Sequence, residues 1–499
     1  MSSPTTSPST LSGTIDRRQL LQAGCAAVLV AKTQRLCGAD GAASTPSSVL
    51  GINLADVNYY MSERPFNNLF LTASEPIPQR RGLKWGEGGA LQRDAQGWVE
   101  RYQPQQFAAF LIDLKAGHPK GVYRVTYRGD RSAIDVDGKA SNQMIKDQER
   151  QRMIVRCFAP IRDVVVKEVT NASEETFAQP FVERCRKFAV LRFMDWQHTN
   201  KNEYRPWPER ITPDYRTQSE FGVSLEYMVE LCNVTRSAMW YCVHHLASDD
   251  DIRESARFVK SQLDPGIPVY LEHSNEVWNG GFPQHKFAKA QDKEFYKYHV
   301  QRTAQAARIW RQEGVELQCV LGLQASNTWL SGQVYKQGLP AEINAVAIAP
   351  YFAGEVGRGE DGDRVLLGGT DYIIDSIPQD LKNVREIIQK QKELADAAKV
   401  PLIGYEGGSH MVGVYPQLAN DKFNEILISA NRRPEMYDFF REYLDIWDQE
   451  TDRSLMCLYH SVSTPTKHGA WGLMEYEGQS LDQAHKYRAV LERLPAARS

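Results

Sequence analysis

Eight short apolar runs, each closing on polar or chemically versatile residues, recur along the chain and limit its fold more than any other feature. They span Gly51 to Asp56, Phe188 to Trp196, Ser237 to His245, Pro268 to Glu276, Cys319 to Ser326, Ala345 to Phe352, Pro401 to Gly408 and Leu455 to Val462. From the second run onward, helical stretches lie between them: Leu225 to Asn233, Asp250 to Leu263, His285 to Gly314, Asn383 to Ala398 and Pro434 to Gln449. Such alternation predicts a parallel sheet with helical crossovers. Eight units predict a closed (β/α)8 TIM barrel, an α/β fold whose functional groups gather at the C-terminal ends of the strands. The competing open, doubly wound sheet normally carries a Gly-x-Gly-x-x-Gly turn after its first strand, and no such turn follows the first run here.

The first gap breaks the rhythm. Roughly 130 residues separate Asp56 from Phe188, far beyond an ordinary barrel loop. Within it Gly121 to Arg128 alternates apolar and polar residues, Ser132 to Val136 follows, Asp137-Gly138 reads as a turn, and Arg152 to Phe158 and Val164 to Val169 read as further strands. The expected organisation is a barrel from 44–84 and 171–499, interrupted between strands one and two by a small antiparallel β module at 85–170. That module serves either as rigid packing or as a wall of the cleft, and its sequence does not choose between them.

The strongest chemical signal ends the fourth run, where Asn275-Glu276 is followed by Val277-Trp278-Asn279. The second ends the seventh run, Tyr405-Glu406-Gly407-Gly408. Strands four and seven lie on opposite sides of a barrel mouth, so the two carboxyl groups can converge on one substrate. Cleaving a glycosidic bond needs such a pair, one to protonate the leaving oxygen and one to attack the anomeric carbon or activate water. A surface or capping carboxylate is the plainer reading for each, and closing an apolar run at a barrel mouth argues against it. Arg192, in the second run, is placed to hold a neighbouring carboxylate ionised. At most one of His244 and His245 is expected to face the cleft, since adjacent strand residues point opposite ways. Asp195, Trp196 and His198 close the second run as candidate sugar contacts, with Trp278, Trp207 and Trp329 as candidate platforms. His410 flanks Glu406. Ordinary core packing is the competing reading for each ring.

With these residues in place, the chain resembles the clan of retaining glycoside hydrolases of cellulase-like and mannanase-like type, barrels with catalytic glutamates after strands four and seven. The resemblance rests on Asn275-Glu276, on Glu406 and on strand order, and covers the barrel but not the β module. It implies that Glu276 is the acid/base, Glu406 the nucleophile, and Asn275 a partner of the sugar 2-hydroxyl. It also implies an Arg at Arg192 and a tyrosine donor to Glu406 at Tyr351; Trp471, just after the eighth run, is a candidate indole floor for the sugar, with a core Trp as the competing reading. The expected partner is a carbohydrate. A non-catalytic carbohydrate-binding barrel and, more remotely, a metal-dependent hydrolase using His244 or His245 are the competing functions.

The remaining sequence mostly excludes. Net charge is −3, which argues against nucleic acid. No P-loop, His-Glu-x-x-His, Gly-x-Ser-x-Gly or Cys-x-x-Cys occurs, and no cofactor, metal site or obligate protein partner is read. At the N-terminus Arg17-Arg18 precedes a short apolar run from Ala23 to Ala31, with Gly41, Ala42 and Ala43 before Ser44. This predicts a cleaved twin-arginine export signal over 1–43 and a periplasmic or secreted bacterial protein. The run is too short to span a bilayer. Cys157, Cys185, Cys232, Cys242, Cys319 and Cys457 are expected as buried free thiols.

Overall fold

The structure, a computed structural model, describes residues 49–494 except 115–117, 119–120, 131–132, 137–138, 141–144 and 148–151. The predicted export signal and the Asp137-Gly138 turn lie outside the described residues.

All eight apolar runs form strands of one closed parallel barrel, taken in chain order: Leu50–Asn53, Val190–Arg192, Ala238–Val243, Val269–His273, Gln318–Gly322, Ala345–Ile348, Leu402–Gly404 and Met456–Leu458. The first strand closes the ring by pairing with both neighbours, Gly51 opposite Val190 on one side and Cys457 on the other. The strands are shorter than the runs because the residues at the run ends leave the ladder for the turns of the mouth. Successive side chains alternate inward and outward. Val190, Trp240, Cys242, Val320, Ala347, Ile403, Tyr405 and Cys457 pack inside the barrel. Leu191, Met239, Leu271, Leu321, Val346 and Leu402 pack against the outer helices. All six described cysteines are buried and unpaired.

The helices fall near their predicted places, at Leu225–Thr235, Asp249–Gln262 and Met436–Glu450. The predicted span from His285 divides into Pro283–Gln291 and Phe295–Gln312. Ser248 caps the second of these helices reciprocally with Asp251, so the acidic run Asp249–Asp251 is a helix start. The predicted segment from Asn383 is the end of a longer stretch, Gly359–Ala397, which breaks at Gly369.

The inserted module is antiparallel. A five-stranded sheet contains Ile77–Arg80, Gln106–Asp113 and Arg152–Cys157, and a three-stranded sheet contains Gly121–Arg128 and Arg162–Glu168. Ile77–Arg80 pairs with Gln106–Asp113, so the sheet begins ahead of residue 85. The alternation in Ile77–Arg80 is masked by Pro78, which hid the strand from the sequence pattern. Phe70, Trp98, Phe110, Tyr123, Val155 and Val166 form the module's own core. It is fastened to loops that leave barrel strands one and two: Asp113 donates its backbone N–H to Tyr59, and Gln218 donates to Leu71. The Arg216 guanidinium lies over the Phe110 ring. The module therefore flanks the barrel rim on the side of strands one and two.

Gly51 shows how tightly the barrel closes. A Cβ placed there would meet the Cys457 sulfur at 2.4 Å and Val190 at 3.0 Å. Gly51→Ala is expected to destabilise the fold by about 1–3 kcal/mol through overpacking, measured as a lowered midpoint in chemical denaturation.

Candidate functional site

The site is built around Arg192, the last residue of the second strand, whose side chain is fully buried. Inward parity places it inside the barrel with Glu272 from strand four. Glu272 Oε2 accepts from Arg192 Nε at 3.0 Å and Nη2 at 2.9 Å, and from Trp240 Nε1 at 2.9 Å. The remaining guanidinium donors fan outward. Nη1 reaches Asn53 Oδ1 at 2.8 Å and Glu406 Oε1 at 2.7 Å, and Nη2 reaches Asn275 Oδ1 at 2.8 Å. Asn53 in turn donates to the Tyr405 carbonyl at 3.0 Å, which ties strand one to the residue before Glu406.

Glu406 is buried, and its second oxygen accepts from the Tyr351 hydroxyl at 2.8 Å. Burial raises its pKa, while the Arg192 guanidinium and the Tyr351 hydroxyl pull it back. Glu276 is only partly exposed and lacks a cation at contact distance. Its Oε2 accepts from Asn279 Nδ2 at 2.9 Å and its Oε1 faces the Tyr405 hydroxyl at 3.4 Å. Burial and the neighbouring Glu406 charge push Glu276 up to about 8. The two carboxyls thus have different surroundings: the Arg192 cation and the Tyr351 hydroxyl oppose the effect of burial on Glu406, whereas burial and the Glu406 charge act together on Glu276. The turn that presents Glu276 is backbone-strained, with φ of 61° at Ser274 and 41° at Glu276. Left-handed conformations at non-glycine residues concentrate where geometry is functional.

The other predicted residues divide into two groups. Brought to the same place are Asn275, Arg192, Tyr351, Asp195, His410 and Trp471. Asn275 spends its oxygen on Arg192 and donates to Asn200 at 3.1 Å. The Trp471 ring meets Tyr351, His410 and Tyr459 edge-on at 5.7, 5.0 and 5.4 Å between centroids. Asp195 accepts from the Tyr459 hydroxyl at 3.1 Å, and burial, Asp56 and Glu406 together push it up to about 7. His198 bonds Asp56 at 2.8 Å.

The second group lies elsewhere. Trp196, expected at the sugar, stacks among Phe66, Phe181 and Phe193 in the outer core at 1% exposure and offers the cleft no surface. Trp196 and its neighbour Asp195 both lie in the turn after the strand, and that turn directs Asp195 to Tyr459 instead. His244 spends both ring nitrogens on backbone, the Lys201 carbonyl and the Leu246 N–H, and stacks on Tyr204. It borders a separate cavity lined by Tyr204, Trp207, Phe221 and Tyr241, which holds neither carboxylate. His245 is buried against His244 and Phe287 with neither ring nitrogen bonded. Trp207 lies under Arg210, Trp329 is 68% exposed on a helix, and Trp278 is partly exposed with its indole N–H unbonded.

The sequence pattern did not single out Glu272, Asn53, Tyr405 or Tyr459. Glu272 and Tyr459 were findable by counting in twos from Tyr270 and Cys457, the inward residues of their strands. Among the described residues no three His, Cys, Asp or Glu side chains converge as metal ligands, and no helix is long and apolar enough to cross a membrane.

No family model and no curated protein matches this chain. Solved structures that it resembles include a 4-O-α-L-rhamnosyl-β-D-glucuronidase from Fusarium oxysporum, at 9% identity and TM-score 0.36 over 62% of this chain and 61% of that one. Others are a GH10 protein from Paenibacillus barcinonensis, at 13% identity and TM-score 0.36 over 64% and 92% of the two chains, and a GH5-4 broad specificity endoglucanase from an uncultured bacterium, at 13% identity and TM-score 0.36 over 64% and 85%. These neighbours are glycoside hydrolases. The chain spans less than two thirds of the fungal protein's length, and the chemistry of the present site follows from its own residues.

Replacing Arg192 by Met would leave Glu272 and Glu406 buried without their shared cation. Arg192→Met is expected to cost about 3–5 kcal/mol, read as a fall in denaturation midpoint, whereas Glu272→Gln, which keeps an acceptor for the guanidinium, is expected to cost less.

Proposed function

We propose that this protein is a retaining glycoside hydrolase that cleaves β-glycosidic bonds in a poly- or oligosaccharide, with Glu276 as acid/base and Glu406 as nucleophile. The observation that carries the reading is the contrast between the two carboxyls: one fastened to Arg192 and Tyr351, the other held protonated beside it.

In the first step Glu276 gives its proton to the departing glycosidic oxygen while Glu406 Oε attacks the anomeric carbon, forming a glycosyl ester and releasing the aglycone. Esterification removes the Glu406 charge, the second contributor to the raised Glu276 pKa. Glu276, now an ionised base, takes a proton from water, which attacks the anomeric carbon and frees Glu406. Trp471 supplies an apolar floor for the sugar ring, and Asp195, fixed by Tyr459, supplies an acceptor for a hydroxyl. Gly407 and Gly408 follow the nucleophile, and Gly408 adopts φ 134°, which favours glycine. Export through the Arg17-Arg18 segment belongs to the same proposal, because an extracellular polysaccharide requires an exported enzyme.

A panel of chromogenic β-glycosides and soluble polysaccharides tests the assignment. Glu406→Ala is expected to lose at least about 10⁴-fold in turnover, with azide restoring part of it as a glycosyl azide. Glu276→Gln is expected to lose about 10²–10⁴-fold on substrates with poor leaving groups. Proton NMR of the first-formed product should show the anomeric configuration of the substrate retained. Inverted product, or full activity in Glu406→Ala, would remove the mechanism; sugar binding without cleavage would leave a carbohydrate-binding barrel instead. The rate should fall on the alkaline side as Glu276 loses its proton near pH 8, and that limb should vanish in Glu276→Gln.

A further inference from the structure

Behind the sugar-facing surface lies a buried amine that the proposed reaction does not use. Lys486, at the start of the last helix His485–Leu491, is 6% exposed. Its Nζ donates to the Ala470 carbonyl at 2.6 Å and to Asn431 Oδ1 at 3.4 Å. Asn431 Oδ1 also accepts from the Ser409 hydroxyl at 3.0 Å, and Asn431 Nδ2 is anchored on the Leu427 carbonyl at 3.0 Å. Ser409 comes three residues after Glu406. Ala470 immediately precedes Trp471. Lys486 and Asn431 therefore join, from behind, the loop that carries the nucleophile and the loop that carries the indole.

A lysine is a costly way to fill an apolar site, and one with no carboxylate at contact distance is costlier still. Burial pushes this amine down to about 7, against the charge of Glu475. The neutral amine has two N–H groups, the number of acceptors it meets. A small cavity bordered by Ser463, Ala470, Gly472, Glu475 and Lys486 lies behind the indole loop. Trp471 is also held within its loop by its indole N–H on the His468 carbonyl at 2.8 Å and by the His460 N–H on its own carbonyl at 3.3 Å, and the Lys486 bond to Ala470 tethers that loop from the side of this cavity.

We propose that Lys486, with Asn431, is a positioning residue that sets the height of the Trp471 ring relative to Glu406. The inference rests on the glycosidase reading only for its kinetic consequence. A shift of the ring by about 1 Å is the kind of misplacement that costs catalysis heavily. Through its edge contact with Tyr351, which donates to Glu406, the same shift reaches the nucleophile.

Lys486→Met keeps the length of the side chain and removes both donors. Its kcat/KM is expected to fall about 10- to 100-fold, while its melting temperature stays the same or rises because a desolvated amine has gone. In a Trp471→Ala background the same substitution is expected to change kcat/KM less than 3-fold, since the two residues act through one another. An equal loss in both backgrounds, or a loss that merely tracks melting temperature, overturns the proposal. Asn431→Leu provides a second route to the same readouts if Lys486→Met does not fold. Should the wild type cleave no glycoside, the glycosidase reading falls and the latch is tested separately by fluorescence. The Trp471 contribution, taken as the emission difference between the parent and Trp471→Phe, is expected to shift in wavelength in Lys486→Met. An unchanged difference spectrum would show that Lys486 does not hold the ring.

Discussion

A guanidinium at the axis of a closed sheet organises this protein. Arg192 donates to side chains from strand one, strand four and the turn after it, and the end of strand seven. In the low-dielectric interior such a cation is tolerable only with full compensation. Glu272 meets that requirement with two donor contacts, leaving Nη1 free to orient Glu406. The ion pair thus does two separable things. One carboxylate neutralises the arginine inside the barrel, and the arginine then offsets part of the burial that raises the pKa of a second carboxylate at the mouth. Glu276 stands just beyond that reach and feels burial and like charge instead. The division of labour between the two glutamates follows from which of them the guanidinium touches.

Much of this was legible in the order of the residues. Eight apolar runs, each with an inward and an outward parity, specify a barrel because a closed parallel sheet buries both faces. The positions of Glu276 and Glu406 at run ends placed them at the mouth before any coordinate was known. Legibility stopped where local chemistry could not reveal a distant partner. Trp196 and Asp195 are adjacent in the turn after strand two, where alternation no longer applies, and the ring cluster of Phe66, Phe181 and Phe193 takes one outside while the other meets Tyr459. Alternation did not resolve His244 and His245, because both lie just beyond the strand Ala238–Val243 and backbone groups of a neighbouring loop occupy His244. Glu272 was overlooked because a mid-strand charge draws attention only once its buried counter-charge is identified.

The β module shows a different limit. Its strands have their own core and were recognisable by alternation, but its first strand begins with Ile77-Pro78 and carries too little pattern to be separated from the loop before it. Its attachment through loops after strands one and two places it on the same side of the mouth as Asp56 and Asp195.

The six buried cysteines carry a last consequence. Each described thiol is unpaired, enclosed, and raised in pKa by desolvation, so hardly any thiolate exists at neutral pH and no oxidant reaches one from solvent. Among the described residues no cross-link then contributes to stability, and the barrel and its β module rest on apolar burial, hydrogen bonds and ion pairs, none of which depends on the redox potential around them.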